Sequence, residues 1–488
     1  MDIDTPPPDL SPLPLPEFSA SFPLPFRVLF LIGFAILLWA VNLHVLSALG
    51  LDVSWVLDIR DGDDGDYNVD LDTPLPMTTP DASRSASPAH MGPVSRPEST
   101  KLYGPVYRLF LLYTLWVGGG WLLFRFITGD DTSAMERWRG LIAAIALVPT
   151  LLSLTPWRGP AYRERKALRR SMWRCLFPPA NSPIFFCDVI FADILTSFAK
   201  VLGDFIVSAG QVLFGGVSHG REAPAGLAKW VTLAMVCLPY VIRFRQCVVE
   251  LYHSDWKSLR PLANACKYAS AFPVIFLSAA QKIVVQDVAA AKGITEAQLN
   301  QSGDRWFGEH RLWRLWLLAV IVNSMFSFYW DVEKDWGLSL LELETWAPSS
   351  ILNRLKKLVS REPERYDRSP GPRGSTNTPP EHWGLRPVLL LPDAGVYYLF
   401  TLIDVVLRFT WSLELSSHLH TISDLESGVF LMEALELVRR WMWVFIRVEW
   451  EAVRMGEAAR FRGTLQDTEL EGPSRLLFEQ KPEVHNDD

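Results

Sequence analysis

Cysteine is scarce in this chain, and so is charge. Five cysteines in 488 residues, none in a CxxC pair, give neither a zinc site nor a disulfide framework. Charged residues make up 21% of the sequence, fewer than the roughly 25% of an ordinary soluble domain. The net charge of −7 is low for the length and argues against a nucleic-acid partner. Residues 1–25 carry four acidic side chains and no Lys or Arg, so the basic leading region of a cleaved signal peptide is missing. No internal repeat is evident.

What the chain has instead is apolar runs. Hydrophobic residues reach 49% and aromatics 12%, with 20 Trp. They are concentrated in stretches of about twenty, the length needed to cross a bilayer. The class expected is an all-α polytopic membrane protein with about nine transmembrane helices. The runs are about 26–49, 106–127, 140–155, 184–215, 228–244, 263–285, 312–330, 395–415 and 429–448. Residues 1–25 read as a Pro-rich tail, 26–155 as three N-terminal spans, 156–465 as a six-helix core and 466–488 as a disordered tail. The stretch 52–103 is rich in Asp, Pro and Ser and reads as a disordered loop, as does much of the polar connection 332–393. Gly118, Gly119 and Gly120 inside the second run are expected to permit close helix approach.

Alternate loops differ sharply in basic residues, five on one side against 27 on the other. That asymmetry puts the C-terminus in the cytosol and the N-terminus in the lumen or outside. The sequon Asn300-Gln301-Ser302 falls in a loop assigned to the lumenal side. The connector 158–174 holds seven Lys or Arg and reads as a cytosolic anchor at anionic lipid.

The last run, 430–449, organises the functional reading. It carries Glu436, Arg439, Arg440 and Arg447 in an otherwise apolar segment. Each ion at the centre of a lipid-facing helix costs roughly 2.5–3.5 kcal/mol, so these side chains must face protein or a wet path. Arg439 and Arg440 lie too far from either end to snorkel. The eighth run repeats the pattern, with Asp404, Arg408 and Trp411 at i, i+4 and i+7. Lys267 and Tyr268 open the sixth, Asp188, Asp193, Lys200 and Asp204 lie in the fourth, Asp331 and Asp335 end the seventh, and Arg243, Arg245 and Gln246 end the fifth. Guanidinium forks match phosphate or carboxylate oxygens, and interspersed acids hold the cations while letting an anion leave. Taken singly, any of these acids reads as an ion pair between helices. As a set, the arginines point to an anion path. No span shows the paired broken helices of inverted-repeat carriers.

Six ordered blocks carry a resemblance. FADILTSFAKVLGDF (191–205), IRFRQC (242–247), KYASAF (267–272), YWDVEKDWGL (329–338), DVVLRFTW (404–411) and LELVRRWMWVFIRVEWE (435–451) resemble those of the EXS domain. That domain is the membrane core of the eukaryotic phosphate exporters. The resemblance implies inorganic phosphate as substrate, held by Lys267, Tyr268, Arg408, Arg439 and Arg440. It implies that Asp204, Asp331, Glu436 and Trp411 line the same path. The larger exporters begin with a Lys-rich SPX domain, which is not expected here. The short architecture is similar to the fungal branch whose loss causes defective retention of endoplasmic-reticulum proteins. It implies a Golgi membrane location, return of phosphate from lumen to cytosol and recycling of glycosyltransferases. The partners expected are phosphate and the bilayer, then Golgi glycosyltransferases, their sorting adaptor and a second copy of the chain.

A competing reading is a membrane adaptor that sorts glycosyltransferases without transport. A membrane enzyme is the weakest. His418 and His420 at i, i+2 point to different helix faces with no third ligand, so no catalytic residue, metal or cofactor is expected.

Overall fold

A computed structural model describes residues 17–51, 53–57, 102–177, 184–217, 226–292, 311–343, 345–346, 382–414 and 426–471. Every regular element among them is helical. In chain order the main helices are α1 (Leu24–Ala48), α2 (Tyr103–Thr128), α3 (Arg139–Leu154), α4 (Tyr162–Leu176), α5 (Phe186–Ser197) and α6 (Ala199–Phe214). They continue as α7 (Leu227–His253), α8 (Leu259–Ala269), α9 (Ala271–Lys292), α10 (Arg311–Tyr329), α11 (Gly395–Glu414) and α12 (Glu426–Glu471).

Four helical stretches are long and apolar enough to cross a membrane: Leu24–Ala48, Tyr103–Thr128, Leu227–His253 and Arg311–Asp335. The shorter α3 is apolar as well. Five of the remaining helices, α3–α6 and α8, are too short for that measure, which rests on length and composition.

The chain forms two compact units. The first comprises Met1–Asp331 and Gly395–Val444. Its N-terminal helices close on one another through small residues. A Cβ on Gly33 would lie 2.9 Å from the Tyr113 ring, and the Tyr113 hydroxyl donates to the Leu29 carbonyl at 2.8 Å. Of the glycine triplet, only Gly120 serves close approach, since its Cβ would lie 2.6 Å from Ile145 on α3. Gly118 and Gly119 face open space. The outer face of α2 is apolar and exposed, with Leu115 at 75% and Phe126 at 87%, as a lipid-facing helix requires.

Two expectations are corrected here. The runs 184–215 and 263–285 are each interrupted at one residue. Phe198 separates α5 from α6, and Ser270 separates α8 from α9. No Pro or Gly marks the first break, whereas Pro273, in the first turn of α9, cannot donate to the carbonyl of Ala269 and accounts for the second. The basic connector is also more than a surface anchor. In α4, Arg165 donates to the carbonyls of Trp157 at 2.7 Å and Pro160 at 3.0 Å, closing the preceding turn. Arg174 grips Asp188 of α5 at 2.6 Å.

The second unit comprises Val332–Ala394 and Phe445–Asp488. Its start is an ordered part of the connection 332–393. Trp336 and Leu338 are fully buried, and Gly337 takes a left-handed φ of 64° because a Cβ there would meet the Trp450 ring at 2.5 Å. Arg386 pairs with Glu449 at 2.6 Å and donates to the Trp336 carbonyl at 2.6 Å. The portion expected to be disordered, 360–381, lies outside the described residues. The chain after Glu451, expected to fray, stays helical to Glu471. Glu451 accepts from Arg447 at 2.9 Å and Arg454 at 2.7 Å, pairs at i−4 and i+3 that support that continuation.

Candidate anion-binding site

The interruptions of the two helices lie next to the site. The last turn of α5 presents Asp193, Thr196 and Ser197, and the last turn of α8 presents Lys267 and Tyr268. At the end of α10 the backbone widens into a π-helical turn, Trp330–Asp335, a local distortion that recurs at functional sites. It carries Asp331. From α11 come Asp404 and Arg408, one turn apart, and from α12 come Glu436, Arg439 and Arg440.

These side chains form two connected networks in the first unit. In one, Arg439 donates twice to Glu436, at 2.8 Å and 2.6 Å, and once to Asp404 at 3.0 Å. Asp404 also lies 3.5 Å from Arg408, which is hydrogen-bonded to Asp331. Asp331 in turn lies 3.7 Å from Arg439 and 4.0 Å from Lys267. In the other, Arg243 of α7 and the Tyr268 hydroxyl both donate to Asp193, at 2.8 Å and 2.5 Å. The Lys267 ammonium stands over the Tyr268 ring at 4.4 Å and the Trp330 ring at 5.6 Å, two cation–π contacts.

Arg440 is held differently. Its Nε donates to Ser197 Oγ at 2.9 Å and its Nη2 to Thr196 Oγ1 at 3.1 Å, while the guanidinium lies 4.8 Å from the centre of the Trp443 ring. Both hydroxyls send their own protons elsewhere, Ser197 to Glu436 at 2.6 Å and Thr196 to the Asp193 carbonyl at 2.7 Å. None of the described ion pairs includes Arg440. Five cations, Arg243, Lys267, Arg408, Arg439 and Arg440, therefore meet four carboxylates, Asp193, Asp331, Asp404 and Glu436. Among these described residues the cations outnumber the carboxylates by one, and Arg440 is the cation that no described ion pair includes.

A cavity of about 50 Å³ opens between these groups. It has room for several water-sized groups at about 10–15 Å³ each. Lys267, Tyr268, Asp331, Arg408, Glu436, Arg439 and Arg440 all line it. Asp193, Thr196, Tyr240, Asn323, Ser324 and Ser327 add polar groups to the wall, and Ala271 completes it. Hydroxyl and amide donors beside cations are the groups that replace an anion's hydration shell.

Two sequence candidates stand apart. Asp204 is buried on α6 and does not line the cavity. Trp411 belongs to α11, but its side chain lies outside the described residues. His418, His420 and the sequon Asn300-Gln301-Ser302 lie outside them as well. Among the described residues no group of three or more His, Cys, Asp or Glu is placed to hold a metal ion. The neutral wall residues escaped the sequence reading because a Ser, Thr or Asn in an apolar run costs little to insert and gives no charge signal. Asp193 was visible among four ionisable residues of its run, yet nothing in the sequence ranked it above Asp204.

Apolar helices of spanning length around a buried, ionised and partly open interior define an all-α, multi-pass membrane protein. The chain belongs to the EXS family, whose model matches residues 22–453 and so takes in the three N-terminal helices. Among curated proteins it is similar to Protein ERD1 homolog 1 of Schizosaccharomyces pombe, 26% identical over 90% of this chain and 93% of that protein. Protein ERD1 homolog 2 of the same yeast is 29% identical over 60% of this chain and 62% of its own length. Solute carrier family 53 member 1 of Homo sapiens is 23% identical over 67% of this chain, which spans only 41% of that carrier.

Proposed function

We propose that the protein is a transporter of inorganic phosphate, and that the cavity at Arg440 is where the ion sits in transit. The observation that carries this reading is the state of Arg440. It is a buried guanidinium held by two hydroxyls, in no described ion pair, and facing a polar cavity. A buried cation without a carboxylate partner is costly unless a mobile anion or water supplies the missing charge and acceptors. Arg408, Arg439, Lys267 and Tyr268 are the further ligands of this reading. Asp331 and Glu436 limit the net field so that the anion is released. Asp204 and Trp411 belong to the path outside the cavity.

In this reading about nine helical segments cross the membrane, with the N-terminus lumenal and the C-terminus cytosolic. Membership of the EXS family and similarity along nearly the whole of an ERD1 homolog support a Golgi setting. Phosphate would there pass from lumen to cytosol, supporting glycosyltransferase recycling and retention of endoplasmic-reticulum proteins. The glycosyltransferases, their sorting adaptor and a second copy of the chain are its protein partners. The test is flux of radiolabelled phosphate through vesicles holding the purified protein, with and without a pH gradient. Flux above that of empty vesicles, lost in Arg440→Met, is the expected result. No flux from the wild-type protein in either condition refutes transport.

A further inference from the structure

Beyond the cavity, α6 carries a second set of buried polar groups. Lys200, Asp204, Ser208 and Gln211 follow at intervals of four, four and three, so they share one helix face. Asp204, Ser208 and Gln211 are at most 8% exposed, while Phe205 on another face is 46% exposed. Lys200 lies 3.6 Å from Glu433, which precedes Glu436 of the cavity by one turn of α12. Across from α6, Gly203 brings Thr232 and Val236 of α7 close, at 3.4 Å and 2.9 Å from where its Cβ would be. The hydroxyls of Ser208 and Thr232 are buried and have no hydrogen-bond partner among the described residues. In a dry interior each such group costs about 1–3 kcal/mol. Ser208, within the charged file, fits a space that water fills, and Thr232 lies on α7 beside Gly203.

The file begins at the site, since Ser197 binds Arg440 immediately before α6 starts. From Ser197 to Gln211 is about 21 Å of helix at about 1.5 Å per residue. Half the hydrocarbon core is about 15 Å, so the file is long enough to reach from mid-membrane to a surface. At its far end the Gly216 amide donates to the half-exposed Glu136 at 3.1 Å, in a polar connection.

We propose that this face of α6 is one leg of the anion's route, a hydrated passage joining the Arg440 cavity to the membrane surface at Gly215. Lys200, balanced by Glu433, is its first cationic station, and Ser208 forms its neutral throat. The proposal rests on the transport reading above and adds the route by which the ion reaches the cavity from the lumenal surface.

Single cysteines at Ser208 and Phe205 test it, each in the full chain reconstituted in vesicles. The probe is the anionic thiol reagent 2-sulfonatoethyl methanethiosulfonate, with modification of each peptide followed by mass spectrometry. Wild-type phosphate flux is measured first, so that absence of transport is seen separately from absence of this passage. Ser208→Cys is expected to react at least tenfold faster than Phe205→Cys, although Phe205 is the more exposed residue. Its modification is expected to cut phosphate flux at least tenfold. Gln211→Cys, one turn nearer the surface, gives the same comparison if Ser208→Cys does not fold. Reaction no faster than at position 205, or modification that leaves flux unchanged, overturns the proposal.

Discussion

Replacing Arg440 by Met separates binding from folding better than any other change in the site. The substitution keeps length and apolar bulk but removes the guanidinium. In the resting protein it breaks two hydrogen bonds, to Ser197 and Thr196, and the contact with Trp443. Neither hydroxyl is stranded, because Ser197 still donates to Glu436 and Thr196 to the Asp193 carbonyl. The loss of these bonds, about 1.5–3 kcal/mol each, is offset by no longer burying the guanidinium, so the net folding cost is small. For a bound phosphate the loss is larger. Two charge-assisted hydrogen bonds at about 1.5–3 kcal/mol each give at least about 3 kcal/mol, or about a hundredfold in affinity. Arg439→Met is the contrasting case. It leaves Glu436 without its main cation and takes from Asp404 one of its two guanidinium partners, a loss of about 3–5 kcal/mol of stability. The assay is phosphate binding by calorimetry beside thermal unfolding in detergent. Arg440→Met should bind at least about a hundredfold more weakly and unfold near the wild-type temperature, whereas Arg439→Met should unfold markedly earlier. Phosphate affinity within threefold of wild type in Arg440→Met would refute the role given to this residue.

Three further outcomes follow from neighbouring contacts. Asp331→Asn removes the carboxylate shared by Arg408, Arg439 and Lys267. At an effective dielectric near 20 a unit charge about 4 Å away is worth about 4 kcal/mol, so even partial relaxation tightens phosphate binding at least about tenfold while slowing turnover; weaker binding in calorimetry contradicts this. Gly120→Ala drives a methyl group into Ile145 and should destabilise the protein by about 1–3 kcal/mol, whereas Gly118→Ala, facing open space, should leave the unfolding temperature unchanged. Burial, with the Asp188 carboxylate adding to it, pushes the Cys175 thiol up to about 12, so at pH 8 it stays protonated; alkylation should label the exposed Cys266 and spare Cys175, as peptide mapping would read out.

Charge in apolar sequence was the legible signal. Lys267, Arg408, Arg439, Arg440, Asp331 and Glu436 stand out because an ion in a spanning helix carries a cost that only a polar interior offsets, and the structure gathers all six round one cavity. The division of labour among them was not legible. Spacing puts Glu436 within reach of both Arg439 and Arg440, yet Glu436 takes Arg439 and leaves Arg440 to Ser197 and Thr196 from a helix more than two hundred residues away. The interruption at Phe198 was equally hidden. Pro149 and Pro239 sit inside continuous helices while Pro273 sits just past a break, and the break at Phe198 has no breaker residue beside it, so tertiary packing decides which sites interrupt a helix. Asp193 outranks Asp204 in the cavity because the first lies at the end of α5, beside Arg243 and Tyr268, while the second lies a turn and a half into α6. No local pattern distinguishes them.

The most direct measurement is an experimental map of the protein soaked with arsenate, a heavier tetrahedral oxyanion with the charge and shape of phosphate. Its arsenic atom should appear in the cavity between Arg440, Arg439 and Arg408, with oxygens within hydrogen-bond distance of the Arg440 guanidinium. A map in which that cavity stays empty at saturating arsenate, with Arg440 turned onto a carboxylate, would contradict the account.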